Sequence, residues 1–290
     1  MRGRRLSLAA AAMILAPAAL HAAFDPLGYG AAAKGMGGAY VAAAEDGTAA
    51  YWNPAGLALV EYPQMTAAME DLYGLGLLRY AAAGYTHPKV GGGTFSAHLL
   101  HLDTTGEADF FNYAESTYLL AYGRPLCEDC LSVGAGMRYY AATGGDARGS
   151  GVGFDLGLLW RVWDQRLRIG AAWQDANQPK IHWDTTANDV LPYTLRVGGL
   201  FRLTESTDLA AEWDKHHFEE AQWRFGGAQR LLRDLLTLRA GLHRGGDQPE
   251  WGFSLGGGLR LKKFDLNYAW DNQDSLGDTQ TVSVVLRFGS

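Results

Sequence analysis

LSVGAGMRYYAATGGDARGSGVGFDLGLLWRV, residues 131–162, carries two runs of strict alternation separated by a polar, glycine-containing link. In 131–140 one parity is Leu131, Val133, Ala135, Met137 and Tyr139, and the other is Ser132, Gly134, Gly136, Arg138 and Tyr140. In 152–162 the sets are Val152, Phe154, Leu156, Leu158, Trp160 and Val162 against Gly153, Asp155, Gly157, Leu159 and Arg161. A period of two over this length is a strand with one apolar face. The opposite face carries glycine and charge.

The same split recurs in 193–203, 236–243, 251–261, 264–270 and 282–288. Counting every such run predicts about fourteen strands, centred near residues 68, 81, 98, 117, 135, 157, 170, 198, 211, 225, 240, 256, 267 and 285. The second face holds Arg138, Arg161, Arg168, Arg196, Arg224, Arg239, Arg260 and Arg287 with Asp155, Glu212 and Asp265. Either a second sheet covers the apolar face, in a soluble sandwich, or lipid does, in a transmembrane barrel whose charged face lines the lumen.

Two patterns favour the barrel. Short links (87–93, 125–130, 163–165, 204–207, 231–234, 262–263) alternate with longer or more polar ones (104–109, 144–150, 174–192, 215–221, 245–250, 271–279), the asymmetry of outer-membrane barrels. Trp173, Trp213, Trp223, Trp251 and Trp270 fall at one rim, and Trp160, Phe201, Phe264 and Phe288 at the other, all on the apolar parity. Two aromatic girdles mark two headgroup layers. The expected fold is an all-β transmembrane antiparallel barrel of about fourteen strands.

Composition agrees. A net charge of −6 offers no nucleic-acid footprint, while 38 glycines, 14 tyrosines and 9 tryptophans suit membrane strands. Residues 1–22 read as a signal peptide: Arg2, Arg4 and Arg5, an apolar run over 6–20, then small residues at the cleavage point. Beyond it no apolar stretch is long enough for a spanning helix. The expected location is the bacterial outer membrane, with outer-membrane lipid as a partner.

Residues 23–62 precede the first strand and stand apart. Their tiny side chains cannot build a core, and their glycines carry a large entropy cost on folding, so the segment needs an enclosure. A barrel of this size is wider than its own side chains can fill. The segment is the natural plug, with Asp46 and Asn53 as expected N-caps of two very short helices and Pro54 opening the second. The domains are then 1–22 signal peptide, 23–62 plug and 63–290 barrel.

At Gly35-Met36-Gly37-Gly38-Ala39-Tyr40-Val41-Ala42, and at Glu45-Asp46-Gly47-Thr48-Ala49-Ala50-Tyr51-Trp52-Asn53-Pro54-Ala55-Gly56-Leu57-Ala58, the chain resembles the N-terminal hatch of the FadL/TodX outer-membrane transport proteins and their PorV/PorQ relatives. That resemblance implies a fourteen-stranded barrel closed by its hatch, with Gly35, Gly37, Gly38, Asn53, Pro54 and Gly56 as hatch or gating positions. It also implies one of two activities. FadL-type members pass long-chain fatty acids or aromatic hydrocarbons inward, leaving through an opening in the wall; PorV-type members are protein partners in secretion. The chain departs from FadL-type members in its short loops and its arginine-rich lumen.

Other features read plainly. Gly35-x-Gly37-Gly38 has no preceding strand and no following Lys-Ser/Thr, so it reads as close packing instead of a phosphate loop. Cys127-Glu128-Asp129-Cys130 reads as a local disulfide in an oxidising compartment rather than a redox motif or half a metal site. His216-His217 with Glu219-Glu220 reads as a solvated loop, and His98 and His101 point to opposite faces. Neither a cofactor, a metal nor an enzymatic activity is expected. Arg138, Asp155, Arg161, Arg196, Glu212, Arg239, Arg260 and Asp265 are the lumen-lining candidates, either for a ligand or for ion pairs that hold the plug. A hydrophobic small molecule or a protein is the expected partner.

Overall fold

The computed structural model describes residues 24, 27–74, 76–104, 113–127, 129–185, 188–217, 219–245, 248–272 and 277–289. The expected signal peptide, 1–22, lies outside the described residues. In chain order come α1 (Ala31–Lys34), α2 (Ala49–Trp52), a 3-10 helix (Pro54–Leu59), β1 (Gln64–Asp71), a second 3-10 turn (Leu72–Gly74), β2 (Leu78–Val90), β3 (Gly93–Thr104) and β4 (Tyr113–Pro125). Then follow β5 (Leu131–Gly144), β6 (Ala147–Val162), β7 (Leu167–Gln174), β8 (Lys180–Trp183), β9 (Asn188–Val190), β10 (Thr194–Thr204), β11 (Thr207–His216) and β12 (Gln222–Leu231). The chain ends with β13 (Leu236–Gly245), β14 (Gln248–Arg260), β15 (Phe264–Asp271) and β16 (Thr279–Arg287).

Each strand pairs antiparallel with its neighbours; β7 pairs with β10, and β1 with β16, which closes the ring at fourteen strands. All fourteen expected centres fall on them. The remaining two, β8 and β9, form a hairpin inside the longest loop and lean on β6, with Gly149 opposite Trp183 and Ser150 opposite His182. Alternation sorts the wall: outward residues such as Met69, Phe154, Leu255 and Val282 are exposed, and inward ones such as Arg138, Asp155, Glu212 and Ser254 are buried. An apolar outer face on a ladder with no free edge is what a bilayer requires, since lipid satisfies no backbone group.

The tryptophan rim is present on the outer face, where Trp213 stands directly opposite Trp223 and Phe253 packs edge-on to Trp270 at 5.2 Å. One link is shorter than its sequence suggests. Residues 144–150 read as a longer loop, but β5 and β6 run on to a two-residue turn at Gly145-Asp146, with Gly145 at φ 60°. Outside the membrane frame these strands satisfy their own backbone, so nothing forces them to stop.

The wall shows no opening among the described residues. Leu78–His87 pairs residue by residue with Phe95–Thr104, and the register shifts sit at strand ends: His87/Val90, Arg202/Thr204 and His243/Gly245. The lateral exit that the resemblance implies is therefore not formed in this structure.

Candidate functional site

The site is the lumen and what fills it. Residues 27–60 lie inside the ring and, Glu45 apart, are buried or half-buried: Tyr29, Ala31, Val41, Ala49, Trp52, Asn53 and Leu57 are all buried. The segment crosses the lumen, with α1 against β14, β15 and β16, and the Pro54–Leu59 helix against β3, β4, β5 and β6.

The glycines of the wall are the counterpart of those in the segment. A Cβ built at Gly123, Gly134 or Gly157 would run into the Asn53-Pro54-Ala55 turn, and one at Gly170 into the Val41 carbonyl. On the far side Gly241 abuts the Met36–Gly37 backbone, and a Cβ on Gly35 would stand 2.9 Å from the Gly256 Cα. Gly37, at φ 63°, lies against Leu242, and Gly38, at φ 77°, against the Arg224 guanidinium. Gly56 lies under the Ala44 carbonyl within the segment itself. Backbone thus meets backbone across the lumen. Dispersion is gained at close range, but there is no room for a side chain on either partner.

Polar holds complete the seat. Asn53, fully buried, donates from Nδ2 to the carbonyls of Val41 (2.9 Å) and Leu158 (3.0 Å) and accepts from Ala55 N–H (3.1 Å), so it caps the 3-10 helix that Pro54 opens. The expected second cap differs: Asp46 stands two residues ahead of the α2 cap position, Thr48, and accepts from the Thr48 N–H at 2.8 Å. Helix α1 has no side-chain cap and left no signal in the sequence. Replacing Asn53 with alanine removes the partner of the buried Ala55 N–H and Val41 carbonyl, at about 1–3 kcal/mol each before relaxation, while the Leu158 carbonyl stays in the β6 ladder. The expected outcome is faster amide exchange at 55, whose N–H loses its acceptor, with the barrel unchanged.

Charged wall residues hold the segment too. Glu212 accepts from the N–H groups of Tyr40 and Val41, both at 2.7 Å, and faces Arg196 at 3.9 Å. Arg138 pairs with Asp155 at 2.7 Å, donates to the Tyr51 carbonyl at 3.3 Å and lies 4.9 Å over the Tyr51 ring. Arg196 stacks over Trp52 at 5.1 Å and donates to Gln174 at 2.7 Å. Lys34 pairs with Glu70 at 2.8 Å. Ser254 and Ser283 accept from Gly37 N–H and Ala31 N–H. His98, beside Ser96 and Tyr29, is buried, while His101 on the same strand is only half-buried.

Two chambers flank the segment. On the long-loop side a cavity of about 250 Å³ is bounded by Lys34, Trp52, Arg196, Arg224, His243 and Asp271, among others. On the short-turn side one of about 690 Å³ is bounded by Glu45, Arg161, Arg168, Arg239, Arg260 and Asp265, among others. Arg260, half exposed, and Arg287 both pair with Asp265, at 3.4 and 2.9 Å. Arg239 donates to Asn267 at 2.9 Å. The sequence-predicted lumen residues therefore divide between the two sides and the ring between them, and do not converge on one point.

The outer end holds an apolar cluster that sequence reasoning missed. Phe24 packs on Tyr140 with ring centroids 4.7 Å apart, in a nest with Ile181, Leu191 and Trp183, and its N–H donates to Glu115 at 2.8 Å. Asp175, just past β7, accepts from the Tyr140 hydroxyl; burial pushes its carboxyl up to about 7 against the opposing pull of Arg138. The apolar residues of 174–192 were visible in sequence; their partner Phe24, 157 positions before Ile181, was not.

His216 corrects another expectation. It ends β11 instead of lying in a solvated loop, and is buried between Thr194 (2.7 Å) and Asp214 (3.6 Å). Cys127 and Cys130 are joined as a disulfide with Cα atoms 5.6 Å apart, in an inner turn.

A closed fourteen-stranded barrel with an apolar exterior and a chain segment seated in its lumen is a transmembrane β-barrel. In detail it has the fold of the FadL-type barrels. Among solved structures, the Ralstonia pickettii toluene transporter TbuX matches with TM-score 0.69 at 14% identity, over 91% of this chain and 100% of that one. The P. putida toluene transporter TodX matches with TM-score 0.70 at 14% identity, over 92% and 100%. A Pseudomonas aeruginosa FadL homologue matches with TM-score 0.66 at 12% identity, over 89% and 98%. No protein-family model matches the sequence. No curated protein matches it either.

Proposed function

We propose that the chain is a passive outer-membrane channel for small hydrophobic or amphipathic molecules, in which residues 23–62 form the hatch. The observation that carries this reading is the seat of residues 27–60. They fill the lumen through glycine-to-backbone contacts and a few polar holds, with a chamber on each side, so a displacement of the segment joins the chambers into a passage. The likeness in fold to barrels described as toluene transporters supports the same reading.

The test is uptake of radiolabelled toluene by cells with an intact outer membrane. Producing the chain raises uptake; deleting residues 28–59, or replacing Gly37 and Gly38 with leucine, changes it while the barrel keeps its heat-modifiable migration. Unchanged uptake of every apolar probe contradicts the proposal.

The unbroken wall and charged lumen favour a second reading, a non-transporting outer-membrane partner for an exported protein. Recovery of a stable protein partner, with uptake insensitive to the deletion, decides for it.

A further inference from the structure

Arg161 and Arg168 stand directly opposite each other on β6 and β7, both pointing into the inner chamber. Like charges in that position oppose pairing. Both side chains are 8% exposed, and the Nε atom of each is buried without a hydrogen-bond partner among the described residues. Their carboxylate partners are loosely placed. Asp129, 67% exposed, reaches Arg161 at 3.4 Å, and Glu45, 50% exposed, reaches Arg168 at 2.8 Å. Arg239, across the same chamber, has no carboxylate within 4.0 Å among the described residues. Buried guanidinium forks with unused donors, beside about 690 Å³ of space, are built to bind an anion.

The geometry points to a binding site for a small organic carboxylate at the inner mouth, formed by Arg161 and Arg168, in which the Glu45 carboxylate of the N-terminal segment is a built-in stand-in for the ligand. Carboxylate is favoured over other anions because both guanidinium groups already hold one. Glu45 precedes Asp46 and the α2 helix, so an anion that takes its place on Arg168 removes one of the segment's ties to the wall. The site faces the short turns and is separated by the segment from the loop-side chamber; it does not depend on what enters from outside.

The probe is ¹³C-labelled succinate, titrated by NMR into the full-length mature protein in nanodiscs, with succinamide and inorganic phosphate as comparators. Glu45→Gln, which removes the competing carboxylate from Arg168 at nearly constant side-chain size, is expected to bind succinate about tenfold more tightly than the parent chain. Arg161→Gln and Arg168→Gln are each expected to weaken binding at least tenfold, and succinamide to show none. In the parent, succinate is expected to speed amide exchange at residues 44–50. Heat-modifiable migration shows that each variant is folded. No gain in Glu45→Gln, or phosphate binding as tight as succinate, overturns the assignment.

Discussion

Replacing Gly241 with leucine is expected to drive the N-terminal segment from its seat while leaving the barrel closed. A Cβ at this position runs into the Gly37 nitrogen and the Met36 carbonyl carbon, which are backbone atoms with no rotamer to change. Gly37 cannot retreat, because it is already in the left-handed region at φ 63° and in contact with Leu242. Overpacking of side chains costs about 1–3 kcal/mol, and backbone against backbone costs more, so the weaker partner gives way. The wall is the stronger one: Gly241 keeps its ladder partners Gly226 and Ser254 through main-chain bonds that a side chain does not touch. Protease cleavage within 28–59 is the readout. Cleavage of the variant at a rate at least tenfold above the parent, with unchanged gel migration, is the expected result.

The second large effect is expected at Glu212. Its carboxylate is almost fully buried and satisfies two consecutive N–H groups, of Tyr40 and Val41, opposite Arg196. Alanine removes the one oxygen, Oε2, that accepts from both and leaves a buried guanidinium short of its counter-charge. Breaking one side of a buried charged arrangement typically costs about 3–5 kcal/mol. The cost falls on the segment, since β11 keeps its ladder. At about 1.4 kcal/mol per decade, amide exchange at 40 and 41 should accelerate at least a hundredfold. Glutamine, which retains one acceptor oxygen, should give a smaller rise. Unchanged exchange in the alanine variant would show that the segment is held by shape alone.

The strands were legible because alternation is local: a run such as 152–162 declares both its faces without reference to any neighbour. The tryptophan rims and the plug-like poverty of residues 28–59 were legible for the same reason. What could not be read is which backbone each glycine serves. Gly134 and Gly157 look alike in sequence, yet both exist to admit one turn at Pro54, and that pairing is set by closure of the ring. The β8–β9 hairpin was hidden by its brevity, four and three residues, and His216 by a polar neighbourhood that resembled a loop. The opposed Arg161–Arg168 pair needed the register of β6 and β7, which alternation alone does not supply.

The claim that the N-terminal segment closes the barrel is tested most directly by swelling of liposomes in arabinose, a polar solute that does not cross lipid unaided. Liposomes carrying the parent chain should not swell above the lipid background. Those carrying the chain without residues 28–59, folded by the criterion of heat-modifiable migration, should swell at porin-like rates. A folded deletion variant that stays impermeable, or a parent chain that is equally permeable, would contradict the account.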